Sequence, residues 1–147
     1  MIKKKGVIPV LAVVILIAVA VALGIAVAFW ATGLIGTLGK VEKLEIRTAY
    51  AVITSNQSDW QITLTGANTG TADITIVEIT VNGQPYNSFN SDVRVNQSIP
   101  YAINAGSSFG VTIYIKRSST YFTSGQTIEI ALISGSGTAI KRTVVLP

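Results

Sequence analysis

The chain has 147 residues, 12 % of them charged, a formal net charge of +4, and neither cysteine nor histidine. That composition excludes disulfides, thiolate chemistry, the commonest metal ligands and any histidine acting as general acid or base. Lys3, Lys4 and Lys5 supply three of the four net positive charges, so the rest is too weak and too scattered for a nucleic-acid footprint.

No charged residue falls between Lys5 and Lys40. The chain therefore reads as a basic leader (residues 1–6), an apolar segment (7–39) and a polar, strand-rich domain (40–147). Val7 to Trp30 contains one proline, Pro9, near its start, where a missing N–H costs a helix little. About 20 apolar residues span a bilayer. The lysines before the run hold the N-terminus on the cytoplasmic side and place the C-terminal domain outside. As one helix, Gly6 to Gly39 would run about 50 Å, against about 30 Å of hydrocarbon. The excess must be a linker, or be buried in something other than lipid, and Gly33, Gly36 and Gly39 favour a hinge there. Ala18, Ala22 and Ala26 recur every four residues, as do Ala20, Gly24 and Ala28. Small residues at this spacing let helices pack closely in an apolar setting, although alanine is common in any membrane helix.

Lys3-Lys4-Lys5-Gly6-Val7-Ile8-Pro9-Val10, leading into Ile15 to Ala22, resembles the start of archaeal type IV prepilins. The resemblance implies a class III signal peptide: a prepilin peptidase cuts on the cytoplasmic side between Gly6 and Val7, and the apolar helix, from Val7 to about Leu38, becomes the core of a filament. It also implies a β-sandwich outside. Bacterial pilins carry glutamate at the fifth mature position, where this chain has Leu11, which points to the archaeal type. Ile8 departs from the small polar residue common before the proline. Two other readings fit the segment: a plain single-span anchor, and a secretory signal peptide cut after Ala26-Val27-Ala28, with an apolar region longer than is usual.

From Leu44 the period changes to two. Leu44, Ile46, Thr48, Tyr50 and Val52 alternate with Glu45, Arg47 and Ala49, as in a half-buried strand. Trp60, Ile62 and Leu64 come after the turn-like Ser55 to Asp59, and Asn68-Thr69-Gly70 breaks the chain. Ile74 to Val81 is the next strand, with a bulge where alternation slips at Ile76-Val77, and the hairpin signal Asn82-Gly83 closes it. Asp92 to Val95 and Ile99 to Ile103 are short strands, the second demoted to an edge by Pro100. Phe109 to Ile115, Ile128 to Leu132 and Ile140 to Leu146 complete the pattern. About seven strands at this spacing predict an all-β, immunoglobulin-like sandwich after the long N-terminal α-helix.

Few residues suggest chemistry. The acids Glu42, Glu45, Asp59, Asp73, Glu78, Asp92 and Glu129 form no metal loop or catalytic pair by spacing and read as solvated. No phosphate loop is present, and no cofactor is expected. Asn56-Gln57-Ser58 and Asn96-Gln97-Ser98 match the N-glycosylation acceptor in polar, turn-like segments. Tyr50, Tyr86, Tyr101, Tyr114, Tyr121, Trp60 and Phe122 form either a ligand surface or, as is commoner on strands, core and cross-strand pairs. Lys40, Glu42, Lys43, Glu45 and Arg47 make either inter-subunit ion pairs or a solvated neck.

The expected protein is thus not an enzyme. It is a subunit of an archaeal type IV pilus, a homopolymer built through the N-terminal helix for adhesion. Its partners are copies of itself, the prepilin peptidase and assembly machinery, and the membrane before assembly. The alternative is a non-polymerising, membrane-anchored pilin-like protein whose β domain binds an S-layer or sugar partner.

Overall fold

The computed structural model describes residues 7–33 and 39–147. The chain divides into two compact units, Met1–Lys40 and Val41–Pro147. In the first, helix α1 (Val7–Ala31) carries no acid in its first turn and no base in its last. At its end the Thr32 N–H and hydroxyl both donate to Ala28 O, at 3.0 and 2.9 Å, and Gly33, at φ +68°, donates to Trp30 O at 3.1 Å. A left-handed glycine just past the last turn is a common helix stop. The helix read as running to about Leu38 therefore ends at Ala31; Gly36 and Leu38 lie outside the described residues.

The second unit holds β1 (Leu44–Ile53), β2 (Asp59–Asn68), β3 (Ile74–Val81), β4 (Gln84–Pro85), β5 (Val93–Val95), β6 (Tyr101–Ile103), β7 (Ser108–Lys116), β8 (Thr127–Ser134) and β9 (Ala139–Val145). A 3-10 turn covers Tyr86–Phe89. One antiparallel sheet has the order β1-β2-β7-β5 and the other β4-β3-β8-β9, with β6 also on β3. This is the expected β-sandwich. Its core is the inward row of each long strand: Ile62 and Leu64 of β2, Ile113 and Ile115 of β7, and Ile128 and Ile130 of β8 are at 0 % exposure. Asn82 and Gly83, at φ +50° and +78°, form a two-residue loop between the paired Val81 and Gln84. That is the type I′ hairpin the dipeptide favours. β6 begins just after Pro100 and pairs only with β3, as a proline-demoted edge does.

Two bulges set which residues face inward. In β3 the register shifts between Ile76 and Glu78, so Ile76 and Ile79 are both buried while Val77 stands exposed. This is the slip expected at Ile76-Val77. In β1 a shift between Ile46 and Thr48 was not expected. The extra residue, Arg47, reverses the inward–outward parity of the second half of the strand. Leu44 and Ile46 point into the core, but Thr48, Tyr50 and Val52 are exposed, and Ala49 and Ala51 pack inward instead. The even row read as continuous thus changes face halfway.

Gly66 sits opposite this bulge, paired with Ile46. A Cβ there would lie 2.1 Å from Glu45 O and 2.6 Å from the Phe109 ring. Neither neighbour is free to withdraw, since one is backbone and the other a buried ring. Gly66→Ala is therefore expected to destabilise the domain by about 1–3 kcal/mol, the usual range for overpacking, read as a lower urea midpoint.

The first residues of this unit are tied to the turn after β2. Val41 N–H donates to the Thr71 hydroxyl at 2.9 Å, Val41 O accepts from Thr71 N–H at 2.8 Å, and Lys43 O accepts from Thr69 N–H at 2.7 Å.

Candidate functional site

Helix α1 carries the largest feature. Every residue from Pro9 to Gly33 is exposed, including Leu16 at 67 % and Trp30 at 76 %. Pro9–Ala31 is long and apolar enough to cross a membrane. A helix apolar on every side belongs in lipid or among other apolar helices, not in water. Burying each Leu, Ile, Val or Phe side chain gains about 1.5–3 kcal/mol, and α1 displays more than ten of them. Ala18, Ala22 and Ala26, and likewise Ala20, Gly24 and Ala28, fall at i, i+4, i+8, which places each trio on one helix face. A Cβ on Gly24 would meet nothing within 4 Å. Gly6 lies outside the described residues, and α1 begins at Val7. Gly33 closes the helix, and Gly39 is exposed.

In the β-sandwich, the acids are not all solvated. Asp59 opens β2 at 8 % exposure, and its Oδ2 accepts from Arg94 Nη2 at 2.9 Å. Spacing along the chain places Asp59 in a surface turn and gives no sign of the pair, because 35 residues separate the partners. Asp59, Gln61, Arg94 and Tyr114 share the outer face of one sheet, with Tyr114 opposite both Gln61 and Arg94 in register. These residues floor a cleft of ≈ 640 Å³. Thr54 and Asn56 from the β1–β2 turn and Asn96 after β5 complete its walls.

Both acceptor asparagines are exposed. The Asn56 side-chain oxygen accepts from the hydroxyls of Thr54, at 2.7 Å, and Ser58, at 2.9 Å. This leaves its amide nitrogen outside those bonds.

The aromatic residues do not gather into one surface. Trp60 and Phe122 are buried, and Trp60 Nε1 donates to Pro147 O at 3.0 Å. Phe89 packs against Tyr121 edge-on, with centroids 5.4 Å apart. Tyr86 and Tyr101 lie against the core, while Tyr50 stands exposed on β1. At the neck, Glu42 accepts from Ser136 at 2.6 Å and Lys43 pairs with Glu45 at 2.7 Å, so these three are engaged within their own unit.

The Lys43 hydrogen bond, and after it the Lys43 charge, hold the Glu45 carboxyl below its ordinary range. A carboxyl held low contributes stability above the ordinary carboxylate pKa, and that stability is lost as pH falls through the lowered value. Both side chains are solvent-exposed, so the contribution is small. Lys43→Ala is expected to return Glu45 toward an ordinary carboxylate titration by NMR and to leave the melting temperature unchanged. Among the described residues, no cluster of three or more His, Cys, Asp or Glu is placed to hold a metal.

No family model matches the chain, and no curated protein sequence matches it. Solved structures do. The archaeal flagellum of Methanospirillum hungatei strain JF1 matches at 16 % identity with a TM-score of 0.51, over 99 % of this chain and 94 % of that one. The archaellum periplasmic stator protein FlaG from Sulfolobus acidocaldarius matches at 26 % identity and TM-score 0.44, over 70 % of this chain and 99 % of its own. An apo PCuAC domain from PmoF1 matches at 10 % identity and TM-score 0.49, over 73 % and 98 %. In its apolar N-terminal helix and in its β-sandwich, the chain is similar in fold to that archaeal flagellum structure.

Proposed function

We propose that the chain is a structural subunit of an archaeal type IV pilus-class filament, polymerising through α1 and carrying the β-sandwich as its outer, adhesive layer. The observation that carries this is α1 itself: a helix apolar on all sides and exposed from Pro9 to its end, joined to a separately folded polar domain. Copies of α1 packed together remove that surface from water and from lipid alike. The contact is heterologous and non-closing, which generates a helical filament. The two small-residue trios allow the close approach such a bundle needs.

The precursor sits in the membrane with Lys3, Lys4 and Lys5 inside, and a prepilin peptidase cuts between Gly6 and Val7. Removing the lysines matters physically, because three charges cannot enter an apolar bundle unpaired. Assembly machinery then moves the helix from lipid into the filament, and the β-sandwich ends up on the cell surface. Asn56 and Asn96 carry N-glycans there. Two observations support a filament subunit over a plain anchor: two small-residue trios, and a whole-chain likeness to a filament subunit. Since that neighbour is a flagellum, a flagellar filament is the second reading.

Intact-mass analysis of surface fractions tests the processing step. The mature chain is expected to begin at Val7, and a Gly6→Val chain is expected to keep its leader and stay in the membrane fraction. A Gly6→Val chain that reaches the surface uncut would overturn it. A wild-type chain that stays in the membrane as a monomer would favour the anchored protein, with its β domain binding an S-layer or sugar partner.

A further inference from the structure

The ≈ 640 Å³ cleft on the outer face of the β1-β2-β7-β5 sheet has a chemistry the filament reading does not use. It is an open, mostly polar depression on the sheet face. Across β2, β7 and β5, Gln61, Tyr114 and Arg94 stand side by side in register. Adjacent strands lie about 4.8 Å apart, so this row is about 10 Å wide.

The charge in the cleft is already balanced. Arg94 Nη2 meets Asp59 Oδ2 at 2.9 Å, and Asp59 is almost wholly buried. The cleft therefore presents no net positive field to a phosphate or a carboxylate, and no net negative field to a cation. What remains is a set of donors and acceptors: the amide of Gln61, the outer face of the Arg94–Asp59 pair, and the half-buried ring of Tyr114. Vicinal hydroxyls, each both donor and acceptor, match planar amide, guanidinium and carboxylate groups. The C–H face of a pyranose matches a phenol ring.

We propose that this cleft is a binding site for a neutral saccharide of about two rings, the span of the Gln61–Tyr114–Arg94 row. The proposal rests on the outward placement of the β-sandwich and names the ligand class through which it would adhere. Two sources supply that chemistry: a foreign surface polysaccharide, or a glycan attached to Asn56 or Asn96 at the cleft's own rim.

The test uses the full chain made in a bacterial host without N-glycosylation and held in a zwitterionic detergent lacking a sugar head group. It is applied to an array of neutral, sulfated and sialylated oligosaccharides. Neutral oligosaccharides are expected to bind in preference to acidic ones. Gln61→Ala and Tyr114→Ala, each assayed well below its own melting temperature, are expected to weaken binding about tenfold or more, the loss of one aligned hydrogen bond or one ring face. The same chain carrying glycans from an archaeal host separates the sources. Reduced binding of free oligosaccharide means its own glycan occupies the floor, and undiminished binding means a foreign one does. No neutral oligosaccharide bound at millimolar concentration, binding indifferent to both substitutions, or preference for acidic sugars would each overturn the site. Filament formation is scored separately by microscopy, so a chain that assembles but binds no sugar refutes the cleft alone, and one that binds but does not assemble refutes the filament alone.

Discussion

A Val19→Asp chain is expected to form no filaments, while its β-sandwich stays folded. Val19 lies near the middle of the Pro9–Ala31 segment, and the helix around it offers no charge to pair with a carboxylate. Placing an aspartate at the centre of a membrane helix costs about 2.5–3.5 kcal/mol at insertion. In a bundle of apolar helices the same unpaired, buried charge costs about 3–5 kcal/mol, and the cost recurs at every subunit of the polymer. Val19→Ile should assemble normally. Gly24→Leu separates a packed bundle from a plain anchor: lipid accepts the larger side chain, whereas a close helix contact does not. Negative-stain counts of filaments in sheared fractions, with head-domain melting as control, check all three. Filaments of normal abundance from Val19→Asp would remove α1 from the assembly interface.

The second large effect is expected at Asn68. This residue ends β2 at 0 % exposure and ties four segments together. Its Nδ2 donates to Ala72 O at 2.7 Å and Ile103 O at 3.2 Å, and its Oδ1 accepts from Gly70 N–H at 3.0 Å. Its backbone N–H donates to Ser107 O and its O accepts from Gly106 N–H, each at 2.9 Å. Asn68→Ala keeps the backbone bonds but leaves three polar groups without their partner. Each buried group so orphaned costs about 1–3 kcal/mol. Two of the three sites are partly accessible, so the low end applies and the sum is about 3 kcal/mol. For a domain of this size the melting temperature should fall by on the order of 10 °C. Asn96→Ala, at an exposed asparagine, should change stability by less than about 0.5 kcal/mol. A melting temperature for Asn68→Ala within a degree or two of wild type would mean that water replaces all three bonds.

The parts of this fold that are legible in the sequence depend on local rules. α1 can be read because no charge interrupts it, and β7 because Phe109, Val111, Ile113 and Ile115 alternate without a break. Asn82-Gly83 encodes its own hairpin, since both residues tolerate a left-handed backbone. Alternation alone misplaces Tyr50 and Val52, because the bulge at Arg47 leaves no mark in the hydrophobic pattern when the next inward residues are alanines. Asn68-Thr69-Gly70 reads as a simple break, yet Asn68 is a buried hub whose partners come from the turn after β2 and from the end of β6. The cleft shows the same limit: Asp59, Gln61, Arg94 and Tyr114 meet only through the register of three strands. The helix end is misjudged for another reason. The sequence stays apolar past Ala31, but Gly33 turns the chain.

The central claim is that α1 is a polymerisation surface. It is tested most directly by negative-stain microscopy of material sheared from cells making the chain, with N-terminal sequencing of the same fraction. Thin filaments whose subunits begin at Val7 are the expected result. An absence of filaments, with the chain retained in the membrane fraction, would contradict it and leave α1 as an anchor.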